Sequence, residues 1–152
     1  MSTSSRLRLD SFVPYRISLA SNAMSEVIAS AYRALFGLNV PEWRLVAVLA
    51  ERTPVTQNDL CAATRMDKVT VSRAAMALAD RGLIGRSPNP GDKRSHLLSL
   101  TDKGRMLYSE VAPKALALEK QLLAGFSRDE IDNFLAMLRR LQATAEAIGE
   151  GD

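Results

Sequence analysis

The sequence predicts a mostly α-helical protein with one small β-hairpin. Three observations carry that expectation. Apolar residues recur at helical spacing over long stretches at both ends, two short helical segments adjoin in the middle, and two strand-like runs flank a turn dense in proline and glycine.

The first helix is long. Val13, Ile17, Ala20, Met24, Val27, Ala31 and Leu35 follow one another at steps of three or four, a continuous stripe on one face. Pro14 suits a first turn, where its missing N–H costs nothing, so the residues before it form a short turn or an arm. Phe36-Gly37-Leu38 stops the helix: the glycine takes a left-handed cap and the leucine closes the apolar contact. A second helix starts at Asn39 or Val40, ahead of Pro41-Glu42, and runs to Ala50 or Glu51 with Leu45, Val46, Val48 and Leu49 inward. After the Thr53-Pro54 breaker, Thr56 with Asp59 opens a short third helix through about Thr64. Asp67 caps a fourth, with Val71, Ala74, Ala75 and Leu78 inward, and Arg81-Gly82-Leu83 repeats the glycine-then-leucine stop.

Leu83 to Ser87 and His96 to Leu100 read as strands around Pro88-Asn89-Pro90-Gly91-Asp92, so the hairpin is exposed at its tip. Thr101 caps a fifth helix, which Pro113 is expected to kink or split and Gly125 to end. Ser127-Arg128-Asp129-Glu130 is a capping box for a last helix with the stripe Ile131, Phe134, Leu135, Leu138, Leu141 and Ala145. Met1 to Arg6 and Gly149 to Asp152 are expected to fray.

With 152 residues, 47% of them hydrophobic, the chain suits one compact unit or a small reader with helical extensions. Cys61 is the single cysteine, which excludes an intrachain disulfide or a cysteine-based metal cluster. No apolar run reaches the ~18 residues of a membrane span, so the expectation is a soluble, cytoplasmic protein with no membrane partner. There is no paired nucleophile and base, no phosphate-cradling glycine loop and no metal-ligand cluster; that argues against an enzyme, and no cofactor is expected.

The net charge of +3 is modest, but its distribution is uneven. From Arg65 to Arg105 nine Lys/Arg stand against four Asp/Glu, a local balance of +5, while the remainder carries eleven against thirteen, −2. That asymmetry is expected when one segment meets phosphate and the rest does not.

A short helix, a few turn residues and a helix rich in small polar and basic side chains make a helix-turn-helix. The second helix of such a pair must lie in a major groove with a face free of bulk and able to bond base edges. Here that face offers Lys68, Val69, Thr70, Ser72 and Arg73: arginine can grip guanine twice, hydroxyls reach bases or phosphates, and Val69 can pack on a thymine methyl. The hairpin tip adds Asp92, Lys93 and Arg94, with Arg86 on the opposite strand. A narrow A·T-rich minor groove attracts an inserted arginine, and Arg94 is the natural probe. Asp92 can orient its guanidinium through a paired hydrogen bond; a plain hairpin salt bridge is the other reading, and both can hold together.

These residues resemble the MarR-type winged helix regulators, over nearly the whole chain. The most specific part is Asp92-Lys93-Arg94 followed by Leu98-Ser99-Leu100-Thr101-Asp102-Lys103-Gly104, similar to the family's wing and entry to its fifth helix. Asp67-Lys68-Val69-Thr70-Val71-Ser72-Arg73 with Arg81-Gly82-Leu83-Ile84 resembles its recognition helix and exit. The expected architecture is a mostly α winged helix-turn-helix reader with long terminal dimerisation helices: 1–38 a dimerisation helix, 39–104 the DNA-binding domain, 105–152 the C-terminal dimerisation helices, all in one interlocked structural unit.

The flanking stripes exceed what the reader can cover, so pairing with a second copy would bury them, and a two-fold dimer reads a roughly palindromic duplex. The resemblance implies the same homodimer, a repressor, and a small effector such as an aromatic acid held between the first, second and fifth helices. Tyr15, Arg16, Ser18, Asn22, Trp43 and Arg44 are the candidates there. The alternative is that Trp43 packs beneath a helix start and that Arg16 and Arg44 form surface ion pairs. A redox reading through Cys61 competes with a small buried thiol, and His96 reads as a phosphate neighbour or an exposed side chain. A winged helix used only for protein contact would need neither the local charge nor the arginine at the wing tip.

Overall fold

The computed structural model describes residues 6–151, and the chain divides into two compact units between Ala115 and Leu116. In the first unit a short 3-10 turn, Leu9–Ser11, leads into α1 (Val13–Phe36), α2 (Val40–Glu51), α3 (Gln57–Thr64) and α4 (Lys68–Asp80). The antiparallel hairpin β1 (Ile84–Pro88) and β2 (His96–Leu100) follows, then α5 (Asp102–Leu122); α6 is Arg128–Glu150. The mostly α class with a small β-wing therefore stands. The fraying expected for Met1–Ser5 and Asp152 lies outside the described residues, whereas Gly149, expected to fray, is helical.

Local chemistry sets most boundaries. Gly37 and Gly82 sit at φ 63° and 71°, left-handed values that let the Leu38 and Leu83 amides turn back to the carbonyls of Tyr32 and Leu78. Asn39 and Glu42 form a reciprocal capping box on α2, which satisfies the buried Glu42 carboxylate through the Asn39 amide at 3.1 Å. The core is Leu38, Leu45, Val46, Leu49, Leu60, Val71, Leu78, Leu83, Leu98 and Val111, with Tyr32 and Leu100 at its edge. Val48 is half-buried. Val55 exchanges two main-chain hydrogen bonds with Leu98, at 3.1 and 2.7 Å, adding a one-residue bridge to the hairpin that its breaker context concealed.

Two expectations about α5, a split at Pro113 and an end at Gly125, are corrected. Pro113 lies inside a helix that continues through it to Leu122, short of Gly125. Proline removes one hydrogen bond, but Leu107, Val111 and Ala115 pack on the core on both sides of it and hold the helix.

A clamp of main-chain acceptors joins the ends of α1, α4 and α5. The Arg81 guanidinium donates to the carbonyls of Phe36 and Gly37, both at 3.1 Å; Lys103 Nζ donates to the Arg81 carbonyl at 2.8 Å, and Thr101 Oγ1 to that of Gly82 at 2.6 Å. These carbonyls are the unpaired acceptors that helix ends leave behind. Gly104 backs onto the same turn so closely that a Cβ there would stand 2.1 Å from the Leu83 carbonyl oxygen.

In the second unit, Ser127 and Glu130 cap α6 reciprocally, at 3.0 and 3.1 Å. Beyond that cap α6 buries no residue: Phe134, Leu135, Met137, Leu141 and Ile148 are all exposed. Leu123, Phe126, Ile131 and Leu135 line an open groove of about 590 Å³ within this unit.

Candidate nucleic-acid interface

The helix-turn-helix is set by its caps. Thr56 N donates to Asp59 Oδ2 at 2.9 Å and Asp59 N to Thr56 Oγ1 at 3.1 Å, opening α3; Thr70 N donates to Asp67 Oδ1 at 2.7 Å, opening α4. Hydrogen bonds from the Thr56 main chain, then its side chain, hold the Asp59 carboxyl below its usual 3.8, and those from Thr70 do the same for Asp67. Between the helices Arg65 takes φ 57°, a left-handed value that favours glycine, and its guanidinium folds back on the Ala62 carbonyl.

Val71, Ala74, Ala75 and Leu78 anchor α4 in the core, which turns the opposite side outward. At 3.6 residues per turn, Val69, Ser72, Arg73 and Met76 fall within about 100° of one another on that side. Val69 and Met76 are 59% and 56% exposed, Lys68 and Arg73 are exposed, and Ser72 and Thr70 are half-buried. Thr70 lies beside this exposed stripe rather than on it. Met76 lies on it and was missed from the sequence, because a methionine directly after a buried alanine pair reads as core; its register against Arg73 was the available signal.

Lys68, Val69, Ser72 and Arg73 also line a groove of about 500 Å³ beside α3, and Cys61 opens into it. Cys61 is half-buried and packs against the core, between the buried thiol and the accessible one weighed from the sequence.

The wing tip is bonded internally. Asn89 accepts from Gly91 N at 3.1 Å and donates to Ser95 Oγ at 3.0 Å, and the Ser95 amide meets the Asp92 carbonyl at 3.2 Å. Asp92 Oδ1 accepts from the Arg94 main-chain N–H at 2.9 Å. This corrects the expected pairing with the Arg94 guanidinium: the carboxylate organises the turn, because a main-chain donor two residues on is nearer than the end of a long side chain. A cleft of about 580 Å³ separates the wing from the start of α3, with Arg86, Arg94 and His96 in its lining.

The nine cations between Arg65 and Arg105 therefore divide into two groups. Arg65, Arg81, Lys103 and Arg105 bind main-chain carbonyls of their own chain. Among the described residues, the charged ends of Lys68, Arg73, Arg86, Lys93 and Arg94 meet no hydrogen-bond or ion-pair partner. The free group lies on α4 and the wing.

The effector candidates are placed differently. Tyr15, Arg16, Ser18 and Asn22 lie along the exposed first half of α1; Arg16 approaches Asp10 at 3.5 Å and Ser18 Oγ donates to the Pro14 carbonyl at 3.0 Å. Trp43 packs between Tyr32, at 5.5 Å and 59°, and Tyr108, at 5.9 Å and 14°. Its described ring partners are thus Tyr32 and Tyr108 rather than Tyr15, and burial raises the Tyr32 phenol above its usual range. Arg44 is exposed.

A helix-turn-helix continued into a two-stranded wing defines a winged helix DNA-binding fold, the fold of a class of transcriptional regulators. A sequence model of the MarR family matches residues 36–95. The chain is 30% identical over 104 residues, 68% of its length, to the HTH-type transcriptional regulator YwoH of Bacillus subtilis, of which it covers 75%. It is 28% identical over 104 residues, again 68% of its length, to the HTH-type transcriptional repressor NicR of Pseudomonas putida, covering 66% of it. A MarR/EmrR family transcriptional regulator from Acinetobacter sp. ADP1 superposes with a TM-score of 0.85 at 27% identity, over 93% of this chain and 99% of the other. The chain belongs to the MarR family of transcriptional regulators.

Proposed function

We propose that this regulator is a repressor that binds a pseudo-palindromic DNA duplex as a homodimer and is released by a small effector, such as an aromatic acid. One observation carries the DNA reading: the five cations without partners among the described residues sit on α4 and on the wing, while the neighbouring four are spent on main-chain carbonyls. Arg73 reads base edges with Lys68, Val69, Thr70 and Ser72 beside it, Arg94 enters the adjacent minor groove, and Arg86 and Lys93 meet phosphate. Residues 39–104 form the reader, and 1–38 with 105–152 supply the helices that pair two copies. Their exposed apolar residues on α1 and α6 support that assignment. Two readers on a two-fold axis then meet half-sites roughly 34–36 Å apart.

The repressor sense follows the relation to NicR. An effector that prefers a different spacing of the two readers shifts the population away from the DNA-binding form in proportion to its differential affinity. Tyr15, Arg16, Ser18, Asn22, Trp43 and Arg44 remain the candidates for its contacts. A salt titration tests the DNA reading: the logarithm of duplex affinity should fall linearly with that of salt concentration as phosphate contacts are lost, and a salt-insensitive or absent affinity would refute it. A panel of aromatic acids added to the complex tests the effector.

A second reading has one observation in its favour. Cys61 opens into the groove beside Lys68 and Arg73, so a modified thiol there would obstruct the reading face. A thiol-alkylating reagent that releases the wild-type protein from its operator, but not a Cys61→Ser variant, would establish it.

A further inference from the structure

We propose that Met76 reads a base: it is a second apolar probe on α4 and takes the C5-methyl group of a thymine in the operator's major groove. This rests on the DNA reading above and adds to it a residue and a ligand chemistry.

Met76 is 56% exposed, nearly as open as Val69 at 59%, on a helix whose other apolar contacts face the core. The exposed apolar residues of α1 and α6 lie in continuous stripes, as helix–helix contacts require. Val69 and Met76 instead enclose Ser72 and Arg73, a polar stretch with a free guanidinium. An apolar partner helix would bury that charge, whereas the floor of a major groove offers both an acceptor pair for arginine and methyl groups for the apolar side chains.

The spacing agrees. Val69, Ser72, Arg73 and Met76 stand at i, i+3, i+4 and i+7, the positions through which one side of a recognition helix addresses successive base edges. Seven residues advance a helix by about 10.5 Å, roughly three base-pair steps, so the methyls read by Val69 and Met76 flank the base read by Arg73. Methionine's unbranched thioether lets it reach from the second turn while following small differences in groove depth. The stripe ends one turn later at the exposed acid Asp80, which phosphate repels, making Met76 the last reading contact of α4.

The test starts from a duplex selected by the wild-type protein from a random pool, in which each thymine is replaced singly by deoxyuridine. That change removes the methyl and leaves pairing intact. Removal of the right methyl should weaken wild-type binding about fourfold, the effect of one methyl-sized group losing its apolar contact. Met76→Ala should weaken binding to the parent duplex by a similar factor for each half-site that carries the methyl and be indifferent to deoxyuridine at that position; Val69→Ala should be indifferent at another. Random-duplex affinity and thermal unfolding of Met76→Ala should match wild type, since the side chain is outside the core. If Met76→Ala binds the parent duplex as wild type does, or still responds at every position where wild type responds, the inference is overturned while the DNA reading stands. If wild type selects no duplex, both fall.

Discussion

Helices α4 and α6 are both amphipathic and both begin at a side-chain cap, yet α4 buries four residues and α6 none. The apolar side of α4 is fully used within its own chain, against α2, α3 and the start of the wing. What remains outward is a narrow mixed stripe, suited to a groove of base edges and phosphates. On α6, by contrast, Phe134, Leu135 and Leu141 stand at 50%, 42% and 45% exposure. Amphipathicity alone therefore does not say what a helix is for. The difference lies in whether the chain completes the apolar contact, leaving the polar face to act, or leaves that contact for another molecule.

The largest expected effect comes from breaking the uncovered side. A charge placed at Leu135 or Leu141, as in Leu141→Glu, should yield monomers by sedimentation and lower operator affinity about 10²–10⁴-fold, because two linked half-site contacts become independent. Random-duplex binding per monomer and the helix signal should survive. If Leu141→Glu remains dimeric with full operator affinity, α6 is not the pairing helix. Breaking the covered side acts on folding instead. Leu78→Ala should cost about 2–5 kcal/mol in denaturant unfolding, the range for a fully enclosed leucine, with the dimer still formed at low denaturant.

Two smaller effects sharpen the outward stripe and the wing. Arg73→Ala and Arg94→Ala should each weaken operator binding by about 1–3 kcal/mol. The first should lose specific binding more than binding to random duplex; the second should blunt preference for a narrow A·T-rich minor groove. Equal losses on random and operator DNA would reduce Arg73 to a phosphate contact.

The smallest concerns the caps of the two reader helices. Asp59 and Asp67 titrate below 3.8 when folded, so the unfolded chain binds more protons and their contribution is present above that value. It is lost as pH falls through the lower folded values. Thermal unfolding should therefore show a shallow decline on the acid side that an Asp59→Asn, Asp67→Asn double variant flattens; an unchanged acid slope would remove the caps as its source.

Much of the fold was legible because the signals are local. Thr56 with Asp59, Asp67, Ser127 with Glu130, Gly37 and Gly82 each act on main-chain groups within five residues, and each ended or began a helix where the sequence indicated. Pro113 does not split α5 for a related reason: its cost is local, while the packing of Leu107, Val111 and Ala115 that keeps the helix continuous is not. The site was legible in composition but not in detail. Arg81 and Arg94 look equivalent along the chain, yet one holds the end of α1 and the other has no described partner.

By itself, then, the sequence determined the order of elements, their caps, the winged helix class and the basic middle of the chain, all of which follow from spacing and short-range hydrogen bonding. Tertiary structure alone decided that Arg81 and Lys103 are spent on distant main-chain carbonyls and that Tyr32 and Tyr108 enclose Trp43. Those are outcomes of competition among partners brought together from distant positions, and only packing determines which partners are within reach.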